Sequence, residues 1–309
     1  MAPMAPSDPP APLDLSDLAT WLVAQRWFRS RSRTLREVSV HDAIDLPSGH
    51  GAVLVMRASF GDSGQERYLV PIVDTGSGPR EPADGDGAWR NLLAQTAGGP
   101  RTLSGRLGSL VLEPGAALGE LLPGGASEAE SLTEQAMGVE QSNTSIRLGD
   151  RLLLKIYRLL EPGTNPEVEV LAFLTERGFA HAPRAGGSLH YVPDDAEPAA
   201  AGIVESLVPS RGDAWNWMLE HLAGPSAEPR QAIAAASEIG GVTAELHAAL
   251  QSTPDDPNFP WRAATEGERQ TWQGEAEAEL AAARAAARDE YRERLSTVAD
   301  RVGAAFEAM

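Results

Sequence analysis

The chain has 309 residues, a formal charge of −18 at pH 7 and a pI near 4.7. That acidity disfavours binding to nucleic acid or to anionic lipid, and the absence of cysteine excludes a disulfide framework and any thiolate metal site. No apolar run approaches the ~18 residues of a membrane span, and no basic segment followed by an apolar stretch opens the chain, so a soluble cytoplasmic protein of two or three structural units is expected.

Residues 1–14, rich in Ala, Pro, Ser and Asp, read as a disordered tail. A helix is predicted from Ser16 to about Phe28, with Leu18, Trp21, Leu22 and Gln25 near one stripe. Arg26, Arg29, Arg31, Arg33 and Arg36 follow as a local basic cluster. Such a cluster is either an anion or nucleic-acid site or a solvated loop paired with acids, and in so acidic a chain the solvated loop is preferred. From Val38 to Val73 three short apolar runs alternate with Gly-rich turns and predict an antiparallel meander. A loop over 74–87, a short helix over Trp89–Ala97 and two strands between Leu103 and Leu112, joined at Gly108, complete the first third.

The central stretch carries the chemistry. Gly138–Ile146 reads as a polar turn between two strands, with Gln141, Ser142, Asn143, Thr144 and Ser145 offering hydroxyls and backbone N–H groups to an anion. In the following strand, Leu153, Lys155 and Tyr157 alternate with Leu152, Leu154 and Ile156. Lys155 is the chain's single lysine; every other basic residue among the 26 is arginine. A compact ammonium inside a strand needs a partner. A well-marked helix over 165–178 supplies two candidates, Glu167 and Glu169, behind an Asn165 N-cap and Pro166 at the first position. Turn, strand with lysine and helix with glutamate is the plan of a kinase small lobe.

These residues resemble the actinobacterial maltokinases, ATP-dependent sugar kinases related to the aminoglycoside phosphotransferases. The resemblance rests on Glu140–Ser145, Lys155, Leu160–Pro166 and Glu169, with weaker matches at Gln25-Arg-Trp-Phe28 and Thr243–His247. It implies ATP and a small sugar as ligands, Lys155 on the nucleotide phosphates and Glu169 as its helix partner. In the family the segment after the aromatic pair is Gly-rich; here it is Arg-Ser-Arg-Ser. The implied architecture is α+β: an α/β cap over 15–98, a kinase-like small lobe over 99–208, and an incomplete helical large lobe over 209–309.

Ala201–Val208 is then the last small-lobe strand and hinge, with backbone groups around Glu205 to Leu207 meeting an adenine edge. Ala234–Leu250 is helical by pattern, and Gln270–Met309 reads as one long or broken helix. The maltokinases' His-Gly-Asp-x-His loop and Asp-Phe-Glu-Gly segment, which supply the catalytic Asp and the Mg²⁺ ligands, do not occur. The expectation is therefore the front part of a sugar kinase for maltose, or for another sugar such as glucosamine. It is expected to be inactive by itself and prone to self-association through exposed large-lobe helices. A non-catalytic nucleotide-binding or assembly protein is the third reading.

Overall fold

In a computed structural model, residues 12–49, 51–74, 76, 78–137, 142–223, 228–253 and 255–307 are described. The chain forms two units, residues 1–249 and 250–309.

Four antiparallel strands open the first unit: β1 (Leu35–Asp45), β2 (Ala52–Phe60), β3 (Gln65–Asp74) and β4 (Pro79–Arg80), hydrogen-bonded in chain order. The two-residue period of β2 explains its position. Val53 and Val55 face one core, while Leu54, Met56 and Ala58 face another. The second core is aromatic. Helix α1 (Leu18–Ala24) brings Trp21 and Leu22, and the segment after it brings Trp27 and Phe28 against Met56, Phe60 and Tyr68.

Helix α1 is shorter than its apolar stripe predicts, because Gln25 turns extended and sends Trp27 and Phe28 into this core. The tail also differs from its reading. Leu13 is buried and its N–H donates to the Pro79 carbonyl at 2.7 Å, so order begins by Pro12, which bridges Arg80. Residues 1–11 lie outside the described residues.

Helix α2 (Ala88–Ala97) follows, then strands β5 (Arg101–Ser104) and β6 (Gly108–Pro114), short helices α3 (Leu118–Leu121) and α4 (Gly125–Ser131), and strands β7 (Glu134–Met137), β8 (Asn143–Leu148) and β9 (Leu152–Tyr157). Helix α5 (Pro166–Glu176) and strands β10 (Ala185–Pro193) and β11 (Ala199–Ser206) come next. The seven strands form one antiparallel sheet in the order β5-β6-β10-β11-β9-β8-β7. One face shares a continuous core with the four-stranded sheet: Trp89, Leu92 and Leu93 of α2 sit among Val53, Val55, Leu69, Leu110, Leu154 and Ile156. Each such side chain contributes about 1.5–3 kcal/mol by leaving water. The N–H groups at the start of α2 are capped from β7: the Glu134 carboxylate accepts from Gly87 and Arg90, each at 2.8 Å.

Helices α6 (Ala214–Ala223) and α7 (Pro229–Leu250) follow β11 and expose large apolar side chains, Trp215 at 72% and Ile233 at 68% among them. The second unit consists of α8 (Glu266–Ala286) and α9 (Asp289–Glu307), so the predicted long helix is broken near Arg288. A capping box between Thr265 and Glu268 starts α8.

Candidate functional site

Strand β9 lies inside the larger sheet, between β8 and β11. Its Leu152, Leu154 and Ile156 point into the main core, which leaves Leu153, Lys155 and Tyr157 on the opposite face. Helix α5 covers that face through Val168 and Leu171, which pack on Tyr157, Ala200 and Ile203. Lys155 is thus a charge between a sheet and a helix, with 16% of its side chain exposed.

Among the described residues, two carboxylates stand close to it. Glu167 Oε1 lies 2.6 Å from Lys155 Nζ, and Glu167 Oε2 accepts from the Tyr157 hydroxyl at 2.8 Å. Glu205 Oε1 lies 3.6 Å from the same ammonium, on a side chain only 5% exposed. The register explains the second contact. Glu205 of β11 stands opposite Leu153 and is therefore the diagonal neighbour of Lys155 on the same face. Gly202 permits β11 to lie this close, since a Cβ there would fall 2.5 Å from the Lys155 carbonyl oxygen.

Glu169, favoured by the family resemblance as the partner of Lys155, does not make this contact. Asn165 caps the helix by accepting from the N–H groups of Glu167 and Val168, which fixes where the first turn starts. Two further residues turn a helix by about 200°, so Glu169 faces elsewhere, into a cavity of about 310 Å³ shared with His190 and Glu197.

The polar turn is also shorter than its composition suggests. Gln141 lies outside the described residues, and β8 begins at Asn143. Ser142 and Asn143 line a cavity of about 160 Å³ with Tyr157 and Glu167. Thr144 is inside the strand, and its hydroxyl oxygen accepts from Arg158 Nε at 2.7 Å. Ser145 is buried directly across from Lys155, so the two side chains share a face.

The hinge reading needs a similar correction. The N–H of Ser206 donates to Arg184 O at 2.9 Å and that of Leu207 to Arg151 O at 2.7 Å, so these donors are already spent. An adenine edge would meet carbonyls here or the backbone beyond Leu207. Glu205 enters the site through its side chain.

Arg158 was not singled out by sequence. It is 2% exposed, with its guanidinium 2.6 Å from Glu81 and 4.8 Å above the Trp27 ring. Burial pushes its pKa down and Glu81 opposes that. Beyond Tyr157 the chain leaves the larger sheet: Leu69 N–H donates to Arg158 O at 2.7 Å and Leu160 N–H to Arg67 O at 2.9 Å. One continuous stretch therefore carries Lys155 in one sheet and pairs with β3 of the other. Asp42 makes a second tie. It is buried on β1 and accepts from Arg106 N–H at 2.7 Å and the Tyr191 hydroxyl at 3.1 Å; burial first, and this carboxylate second, raise the Tyr191 pKa.

Residues 21–100 match the maltokinase N-terminal cap domain. A solved glucosamine kinase in complex with glucosamine, ADP and inorganic phosphate aligns with 93% of this chain and 61% of its own, at 25% identity and a TM-score of 0.62. This is a kinase-like fold with an N-terminal cap. A glucosamine kinase from Streptacidiphilus jiangxiensis is 30% identical over 222 residues, which is 69% of this chain and 46% of that protein. One from Mycolicibacterium smegmatis is 27% identical over 218 residues, 68% and 51% respectively. The chain thus spans about half the length of the curated relatives it matches. Its likeness is to phosphotransferases that act on sugars. In that kinase-like fold Lys155 occupies a sheet strand facing a helix glutamate, and that glutamate lines a cavity with Ser142 and Asn143.

Proposed function

We propose that this chain supplies the nucleotide-phosphate grip of an ATP-dependent sugar kinase. The observation that carries the reading is the Lys155 ammonium, held at 2.6 Å by Glu167, a carboxylate that itself lines a polar cavity. A lysine fixed by a carboxylate presents a point charge at a defined place, and phosphoryl transfer depends mainly on positioning and electrostatics of that kind. Ser142 and Asn143 add hydrogen-bonding groups from the turn. Glu205, on the same sheet face, adds a second carboxylate 3.6 Å from the ammonium.

Glucosamine is the favoured acceptor. The two curated relatives described above are glucosamine kinases, whereas the maltokinase likeness is that of the cap over residues 21–100. Maltose is the alternative that the cap supports. Such transfer requires Mg²⁺; among the described residues no group of three or more His, Asp or Glu is placed to hold a metal. No metal-dependent step is therefore assigned to these residues.

The chain alone is expected to bind ATP without turning it over. An ATP-coupled phosphorylation assay with glucosamine and maltose side by side tests this, and turnover by the 309-residue chain would contradict it. Reading the coding sequence beyond codon 309 separates the remaining alternative. A His-Gly-Asp loop there supports a kinase, and a stop codon supports a non-catalytic nucleotide-binding protein.

A further inference from the structure

The five arginines between residues 26 and 36 do not share one fate. Arg33 is paired with Asp62 at 2.8 Å and Glu66 at 2.6 Å. The Arg31 guanidinium donates to the Gln25 carbonyl at 2.7 Å and the Phe28 carbonyl at 3.2 Å, which pins the segment after α1. Both partners are neutral, so they fix the guanidinium in place without cancelling its charge. Arg29 is exposed, and neither it nor Arg31 forms an ion pair among the described residues.

Arg26, Arg29 and Arg31 come together around one cavity of about 670 Å³. Phe28 and Ser142 complete its lining, so its wall comes from the segment after α1 and from the residue before β8. No carboxylate is among the described residues that line it. Glu161 and Glu167 line a smaller neighbouring cavity instead, and both oxygens of Glu167 are engaged, one by Lys155 and one by Tyr157. Lys155 lines neither space. Acids outnumber basic residues 44 to 26 in this chain, so surface arginines have many carboxylates to choose from. Three guanidinium groups gathered without one repel each other, and an anion between them removes that repulsion and is attracted by all three.

We propose that this cap cavity binds a small anion carrying two or more phosphate groups, at a site separate from the lysine of the nucleotide reading. Charge sets the class: one phosphate ester brings about −1.5 to −2 at pH 7, less than three arginines balance. A guanidinium fork matches two oxygens of one phosphate, so arginines around one space suit several such groups in a row. Ser142 adds a hydroxyl from the other side. The inference does not rest on the nucleotide reading.

Inorganic tripolyphosphate and fructose bisphosphate separate an inorganic from a sugar source, and inorganic phosphate is the single-group control. Each is titrated by calorimetry into the 309-residue chain and into Arg26→Gln, Arg29→Gln, Arg36→Gln and Lys155→Gln. At least one of the first two should bind the wild-type chain about tenfold more tightly than inorganic phosphate does. Arg26→Gln and Arg29→Gln should each weaken it by about tenfold, as for loss of one charge-assisted contact. Arg36→Gln, whose residue does not line the cavity, and Lys155→Gln should bind as wild type. Melting temperatures matching wild type show that the variants are folded, and if one arginine variant melts early the other carries the test. Unchanged affinity in the folded arginine variants overturns the proposal, as does a wild-type chain that binds neither anion, whatever it does with ATP. Loss of binding in Lys155→Gln alone also overturns it, placing the anion at the lysine and leaving the nucleotide reading intact. Complete displacement by ATP, with ATP itself weakened by Arg29→Gln, would make the cavity part of the nucleotide site and overturn its separateness.

Discussion

The ammonium of Lys155 sits 2.6 Å from Oε1 of Glu167, whose other oxygen takes the Tyr157 hydroxyl at 2.8 Å. The carboxylate is thus fully engaged on one side of α5, and Glu169 lies on another side of the same helix. Replacing Glu167 by Gln should leave the ammonium less well fixed and weaken ATP binding by about tenfold. Replacing Glu169 by Gln should change it by less than about twofold. Titration of ATP into the two variants checks this, and the reverse ranking would return the partner role to Glu169.

Arg158 is the buried cation that links the two sheets. It touches Glu81, the Thr144 hydroxyl and, at 3.3 Å, the Leu69 carbonyl. Arg158→Met should cost about 3–5 kcal/mol, because it leaves the mostly buried Glu81 carboxylate without this counter-charge. The double variant Arg158→Met, Glu81→Met should recover part of that loss. Urea denaturation measures both. A single variant as stable as wild type would show that Arg158 does not hold the sheets together.

His190 on β10 gives a pH dependence. Burial holds its pKa below the ordinary imidazole value, with Glu113 opposing. His41 on β1 shifts the same way, through burial and the nearby Arg67 and Arg57. The unfolded chain then takes up protons near pH 6.5 that the folded chain refuses, so this contribution is present above about pH 6.5 and is lost as pH falls below it. Urea midpoints between roughly pH 7.5 and 5.5 should fall on acidification, and His190→Gln should reduce the slope. An unchanged slope would mean that the imidazole titrates alike in both states.

The sequence made the site's core legible and hid its surroundings, for physical reasons. Lys155 stood out because a lone ammonium interrupts an alternating strand, and Asn165-Pro166 marked a helix start that the structure retains. Strand β10 drew no reading from the sequence, and glycines at 186 and 187 interrupt its side-chain pattern. There the glycine is steric: a Cβ on Gly187 would fall 2.8 Å from the Glu113 carbonyl oxygen of the neighbouring strand. Arg158 was passed over because its partner Glu81 is remote in sequence. Glu167 and Glu169 differ only in angle around a helix, which spacing alone leaves open and the capped first turn decides. The arginine cluster looked uniform until individual partners separated Arg33 and Arg31 from Arg29.

The most direct test of the account is calorimetric titration of ATP into the wild-type chain and into Lys155→Gln, with adenosine as the phosphate-free control. The account predicts that wild type binds ATP, that the variant loses about 10- to 100-fold in affinity, and that adenosine binds both alike. Equal ATP affinity in the two proteins, or none in the wild type, would contradict it.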